Sequence, residues 1–215
     1  MLVNKSIYFY LLASVILGIG VNSCQGLNDQ YVELSNEYWY RSTSETRKVI
    51  ESRVLAYHNK VYPKVIDYSF NNDFIIAEQK PQFDATITEM GEDLFRRFEH
   101  YRMYKNDTNI LNTDFYKKLR GIVEKDSNLY NTFISMHASD NELENRKIAV
   151  ILAERKVKSI DFNRITNNTN VNFWIVVHSN NSLIGPFTKT QYLITKDSLR
   201  IPESLRLKFE KQANQ

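Results

Sequence analysis

Between Val65 and Gln79 two short apolar runs flank Asn71-Asn72-Asp73. Val, Ile, Tyr and Phe fill the runs, and such side chains suit a pleated surface. Asn and Asp tolerate positive φ better than other non-glycine residues, so the polar triplet predicts a tight reversal. The stretch therefore predicts a β-hairpin that forms the central pair of a sheet. In its first arm Ile66, Tyr68 and Phe70 fall on one face, with Val65, Asp67 and Ser69 on the other. The second arm, Phe74-Ile75-Ile76-Ala77, is apolar on both faces and needs a covering layer on each side.

Upstream, Tyr31 to Arg41 reads as one strand carrying Tyr31, Leu34, Tyr38, Trp39 and Tyr40. Ser42 to Glu45 is a polar turn, and Thr46 to Ser52 a second strand. Val54 to Tyr62 fits neither period, and Pro63 disfavours helix in the residue before it. From Thr86 to about Ile165 the period becomes helical. Thr86 and Glu89 have capping-box spacing. Ile87, Met90, Leu94, Phe95, Phe98 and Tyr101 follow as an amphipathic stripe, which Gly91 weakens slightly. After a loop at Asn106 to Asn112, Thr113 caps a second helix with Phe115, Leu119 and Ile122 inward. A break at Asp126-Ser127 starts a third piece with Leu129, Phe133 and Ile134. Ser139-Asp140 opens a fourth with Leu143, Ile148, Ile151 and Leu152. This helical block is expected to cover the sheet.

Asn163 to Asn172 reads as the return linker. Phe173 to Val177 is a second strand apolar on both faces. Ser179 to Ser182 is its turn, and Leu183-Ile184 begins a partner strand that stops at Gly185-Pro186. Thr188 and Gln191 fit a capping box for a helix through about Leu199, with Phe187 placed as a staple toward Tyr192. Ile201-Pro202 ends it, and the charged tail is expected to fray after Phe209. These elements predict an α+β fold: an antiparallel β-sheet of about five or six strands, a helical insertion packed on one face, and a short C-terminal helix.

Residues 1–23 read as targeting sequence. Lys5 supplies a positive start, and Ile7 to Val21 is a run of about 15 mostly apolar residues, short of the roughly 20 that a spanning helix needs. The run ends in Val21-Asn22-Ser23-Cys24, which resembles a bacterial lipobox. Asn22 is a tolerated rather than favoured residue there. Cys24 is the only cysteine, so no intramolecular disulfide can form. Its thiol would take a diacylglycerol, and cleavage before it would expose an amine for a further fatty acyl chain such as palmitate. Two or more chains anchor stably where one does not. The expected organisation is a lipoprotein signal peptide over 1–23, a tether over 24–30 and one α+β domain over 31–209 with a helical insertion at 86–170. The residues after Cys24 form no acidic run, which favours a periplasm-facing location.

Composition narrows the chemistry. With only 6 glycines, Gly-rich phosphate loops are nearly excluded. A net charge of +3 from interspersed Lys, Arg, Asp and Glu makes no case for nucleic acid. His58, His100, His137 and His178 lack zinc-site spacing, so neither a metal nor a cofactor is expected. No nucleophile elbow, Walker loop or dinucleotide fingerprint occurs. Asp67 and Glu78 could approach across the hairpin as acid–base candidates, although turn and edge carboxylates more often bind backbone. Trp39, Tyr40 and Trp174 are candidates for a carbohydrate-stacking platform, against the plainer alternative of sheet core. Arg96, Arg97, Arg102 and Lys105 could form a basic helix face toward anionic lipid head groups.

Tyr62-Pro-Lys-Val-Ile-Asp-Tyr68, Asn72-Asp-Phe-Ile-Ile-Ala-Glu-Gln79 and Phe173-Trp-Ile-Val-Val177 together resemble the uncharacterised DUF3997 lipoproteins. Gly185-Pro-Phe-Thr-Lys-Thr-Gln-Tyr192 and Ser198-Leu-Arg-Ile-Pro-Glu-Ser-Leu205 fit the same pattern. The resemblance covers roughly 31–80 and 173–207, with 86–170 looking like an insertion. It implies a small, often lipid-anchored protein of Bacteroidetes or Firmicutes and carries no catalytic residues across. The leading expectation is a non-enzymatic, lipid-anchored cell-envelope protein that binds an envelope protein or glycan. Alternatives are an envelope hydrolase using Asp or Glu, and an inhibitor of an envelope-active enzyme.

Overall fold

The structure is a computed structural model and describes residues 30–35, 37–52, 59–136, 140–159 and 171–213. Residues 1–23, read above as targeting sequence, Cys24, His58, His137 and most of the Asn-rich linker lie outside the described residues.

Two antiparallel sheets form the centre. The first contains β1 (Gln30–Glu33), β2 (Tyr38–Ser42) and β3 (Lys48–Ser52) in that order. The second contains β4 (Val65–Phe70), β5 (Phe74–Gln79), β6 (Asn172–Val177) and β7 (Ser182–Phe187), also in sequence order. Between β5 and β6 run α1 (Phe83–Tyr104), α2 (Asp114–Lys125), α3 (Ser127–Ser135) and α4 (Glu142–Val157). A 3-10 turn (His178–Asn180) joins β6 to β7, and α5 (Lys189–Ser198) and the short α6 (Lys208–Gln212) close the chain.

The class is α+β with a short C-terminal helix, as the pattern implies. The strands, however, divide over two sheets rather than one. Tyr31 to Arg41 is not a single strand: backbone N–H groups of Leu34 and Ser35 both donate to Tyr38 O, reversing the chain there. Leu34 is buried in that turn, so apolar content gave no hint of a break.

The faces of the sheets determine the layers. Tyr38, Ile50, Val61, Val65, Ile75, Ala77, Trp174 and Val176 pack between the two sheets. On the far face of the four-stranded sheet, Ile76, Phe173 and Ile175 meet Tyr192, Ile201, Leu205 and Leu207. The C-terminal segment, not the helical block, therefore covers that face. Helices α1 to α4 bury a core of their own around Leu94, Phe98, Leu119, Phe133 and Leu152. Gly91 lets α1 approach α4, since a Cβ there would lie 2.8 Å from Val150 Cγ2. The block docks on the outer face of the three-stranded sheet through charged side chains of α1, so the order is helices, sheet, sheet, C-terminal segment.

Several local expectations change. The central strands of the larger sheet are β5 and β6, both apolar on two faces, and β4 is an edge. A bulge between Val65 and Asp67 places Val65 and Tyr68 on the same side. At the β4–β5 turn, Asn71 Oδ1 accepts from the backbone N–H of Asp73 (2.9 Å) and Phe74 (2.8 Å). This side-chain turn does the work expected of positive φ, which among described non-glycine residues occurs only at Asn59, Asn181 and Arg200. Strand β7 continues through Gly185-Pro186 because it is an edge, where a missing N–H is tolerated. Thr86 and Glu89 are no cap: α1 starts at Phe83, leaving both buried inside the helix. Phe115, Ile134, Leu143 and Ile151, expected inward, are exposed. Thr113 caps α2 and the Thr188–Gln191 capping box opens α5. The tail is held past Phe209, for Glu210 accepts from Tyr192 Oη, Lys196 Nζ and Leu207 N.

Candidate functional site

The aromatic candidates do not share a surface. Tyr40 packs on Tyr68 with ring centroids 4.7 Å apart. Trp174 is buried between the sheets and donates from Nε1 to Gln79 Oε1 at 2.8 Å. Trp39 points from the opposite face of β2, edge-on to Tyr31 at 5.7 Å. A stacking platform built from all three therefore has no geometric basis.

Asp67 and Glu78 do stand opposite each other in the β4–β5 register. Burial raises the Glu78 pKa, and the Asp67 charge raises it further, while Lys189 and Lys208 pull it back. Asp67 Oδ2 accepts from the Lys208 backbone N–H at 2.6 Å, fastening the C-terminal segment to the sheet. Neither carboxylate lines either of the two cavities described below. Two of the four basic-face residues are paired: Arg97 is buried against Asp126 at 2.8 Å, and Arg102 pairs with Glu99 and Asp140. His100 is packed near Tyr104 and Phe115, and its pKa is lowered by burial and then by Arg96.

One cleft lies where three hairpin ends converge. Its volume is about 410 Å³, and Glu33, Leu34, Ser35, Glu37, Asn72 and His178 line it. The β1–β2 turn supplies the first four, the β4–β5 turn Asn72, and the end of β6 His178. The walls are fixed from behind. The His178 backbone N–H donates to Asp73 O at 2.9 Å. Tyr38 Oη donates to Asn181 Oδ1 at 2.6 Å, and Asn59 Nδ2 to Asn181 O at 2.7 Å. Burial pushes the Tyr38 pKa up to about 12, keeping it a donor. Burial also lowers the His178 pKa, although Glu37 and Asp73 oppose this. Glu37 Oε2 and His178 Nε2 are screened from solvent without a hydrogen-bond partner among the described residues. His178 is part of this wall. Residues so distant in sequence gave no signal of it.

A second charged cluster joins α1 to the three-stranded sheet. Glu89 receives Arg41 and Arg47, each at 2.7 Å. Lys60 Nζ lies 2.8 Å from Asp93 and 2.9 Å from Glu51, and Arg41 Nε lies 2.8 Å from Glu51. Burial opposes ionisation of Glu89, but Lys60 and Arg41 outweigh it and hold the pKa at about 2. At Asp93 burial wins over Lys60, and the pKa rises to about 6. The sequence did hold a trace of this cluster. Thr86, Glu89, Asp93 and Arg97 recur at helical spacing beside the apolar stripe, and all four are buried.

A further cleft of about 470 Å³ lies between α5 and the C-terminal segment, where Leu193, Phe209 and Ala213 mix with Lys189, Asp197 and Arg206. Among the described residues no group of three or more His, Cys, Asp or Glu is placed to hold a metal ion.

Residues 133–212 match the family model DUF3997, protein of unknown function. The matched stretch is well under half of the chain, and over it the protein is similar to that family. No curated protein and no solved structure matches the chain. The DUF3997 match takes in α4, β6, β7 and the C-terminal segment, and thus one wall of the hairpin-end cleft, His178. The stretch 31–80, where a resemblance was also read, lies outside the matched residues.

Proposed function

We propose that this protein is a lipid-anchored cell-envelope protein, facing the periplasm, whose folded domain is a binding module rather than an enzyme. The observation that carries the reading is Val21-Asn22-Ser23-Cys24 at the end of an apolar run, with the sole cysteine at the acylation position. Gln30, where the described residues begin, is six positions beyond Cys24. At about 3.3–3.6 Å per residue, such a tether keeps the domain within roughly 20 Å of the bilayer. The binding half of the reading is supported by the placement of the perturbed carboxylates. Glu89 and Asp93 are built into a structural contact, and Asp67 and Glu78 stand outside both described clefts.

Intact mass and membrane partitioning in a host of the native type, beside Cys24→Ser, test the anchor. A cleaved, acylated wild type with an unprocessed or soluble variant is the expected result. An unacylated wild type overturns it. The rival reading, an envelope hydrolase, draws on the raised pKa of Glu78 beside Asp67. Replacing both with their amides leaves function intact if the domain is a binder and abolishes it if this pair is catalytic.

A further inference from the structure

Exposed apolar side chains gather at one margin of the inter-sheet core. Val32 of β1 stands opposite Tyr40 of β2 in the register, so the two share a face. Tyr40 packs on Tyr68 of β4 with ring centroids 4.7 Å apart, and Tyr68 lies 6.4 Å from Phe70, the rings inclined by 30°. A continuous strip therefore runs from β1 to the end of β4. Its inner members, Tyr40 and Tyr68, pack against the core, while Val32 (38%) and Phe70 (41%) at its two ends stay exposed. Alternation puts Tyr31 on the other side of the same edge strand, where it is 54% exposed. Contiguous exposed apolar surface marks a contact site. These five side chains carry no charge near neutral pH. Three are tyrosines, whose apolar ring and polar hydroxyl suit the boundary between lipid acyl chains and water.

The length of chain before β1 decides what covers this surface. Gln30, the first residue of β1, is six positions beyond Cys24, and Tyr31 and Val32 follow it directly. An acylated Cys24 thus holds the strand within roughly 20 Å of the bilayer. We propose that Tyr31, Val32 and Phe70 seat the domain on the headgroup–acyl boundary of the membrane that holds Cys24, so that the anchor is joined by a second contact that fixes orientation. The inference rests on the anchor half of the function proposed above. Tethering makes the second contact intramolecular, so a small patch suffices. Glu33, the next residue of β1, is acidic, so the contact is apolar and needs no anionic lipid. Helix α5 lies on the far face of the larger sheet, and its Ile194, 66% exposed, belongs to the side turned away from the bilayer.

The test uses the protein as its host processes it, with intact mass read first, reconstituted into phosphatidylcholine vesicles whose acyl chains carry bromine, a short-range quencher of tryptophan. Trp39→Phe leaves Trp174, buried between the sheets, as the native emitter. In that background Phe70→Trp places a reporter on the strip and Ile194→Trp one on α5. Brominated lipid is expected to quench the added emission at position 70 at least twofold and to leave that at position 194 unchanged. Tyr31→Ser with Val32→Ser, both at exposed positions, should remove at least half of the quenching at position 70. Wild-type-like circular dichroism establishes that the variants fold. Equal quenching at the two positions, quenching at neither, or quenching that appears only when anionic phosphatidylglycerol is added would each overturn the proposal. Chitotetraose that shifts the position-70 emission saturably and releases it from the bilayer would do so too, making the strip a glycan platform. An unacylated wild type overturns the anchor, and this inference with it, at the mass measurement. An acylated protein without selective quenching overturns this inference alone.

Discussion

Two charged regions of the molecule are composed on opposite principles. In the cluster between α1 and the three-stranded sheet, Arg41, Arg47 and Lys60 face Glu51, Glu89 and Asp93, so positive and negative charges balance. In the hairpin-end cleft Glu37 Oε2 and His178 Nε2 have no hydrogen-bond partner among the described residues. Buried charges are tolerated when compensated and strongly unfavourable when one partner is removed. Internal compensation therefore marks the first region as architecture. In the second, no such network reaches Glu37 Oε2 or His178 Nε2 among the described residues.

The largest effect should come from breaking the balanced cluster. Glu89→Ala leaves Arg41, Arg47 and Lys60 short of a carboxylate, and a loss of about 3–5 kcal/mol in urea unfolding is expected. Glu37→Gln, by contrast, should stay within about 1 kcal/mol of wild type, since Glu37 Oε2 has no hydrogen-bond partner among the described residues to lose. Equal losses in the two variants would erase the distinction between the regions.

Protonation sharpens the same comparison. The folded pKa of Asp93, about 6, lies above its ordinary 3.8, so folding takes up a proton between these values. Its contribution is present at low pH and lost as pH rises through about 6. Glu89 has the opposite sign: its contribution is present above 4.5 and lost as pH falls toward about 2. Lowering the pH from about 7 to about 5 should therefore raise the stability of wild type relative to Asp93→Asn, before Glu89 begins to fail. Urea midpoints of both proteins across that range check the sign. A parallel response would show that Asp93 is not the group responsible.

Smaller effects test the cleft wall. Tyr38→Phe removes the hydrogen bond to Asn181 and should lower stability by about 0.5–1.5 kcal/mol. It should also broaden the His178 resonances if that bond fixes the turn. The smallest change is expected at Trp39. It lies outside the inter-sheet core, so Trp39→Ala should cost about 1 kcal/mol or less, against about 3–5 for Trp174→Ala within it. Thermal or urea unfolding of the two variants measures the difference, and a comparable loss at Trp39 would show that its packing is structural.

Much of the fold was legible because short-range physics decides it. The β4–β5 hairpin, the strand at Phe173 to Val177, the breaks around α2 and α3, the Thr113 cap and the Thr188–Gln191 box are all matters of period and local hydrogen bonding. Even the central position of β5 and β6 was written in their two apolar faces, although the hairpin was first read as the central pair. What the pattern could not carry was partnership. An apolar face states that it must be covered and not by what: here a second sheet and the C-terminal segment cover the larger sheet, while the helices bury one another.

The same division holds for the site. By itself the sequence determined the alternation of strands, the helical stripe, the single cysteine and the lack of metal or phosphate motifs, because each depends on neighbours along the chain. Only the tertiary structure decided that Glu89 is held by cations of the first sheet, that Trp174 is core, and that Glu37 and His178 line one cleft. Electrostatic partnership acts through space over a few ångströms, and which charges come that close is determined by how the two sheets stack.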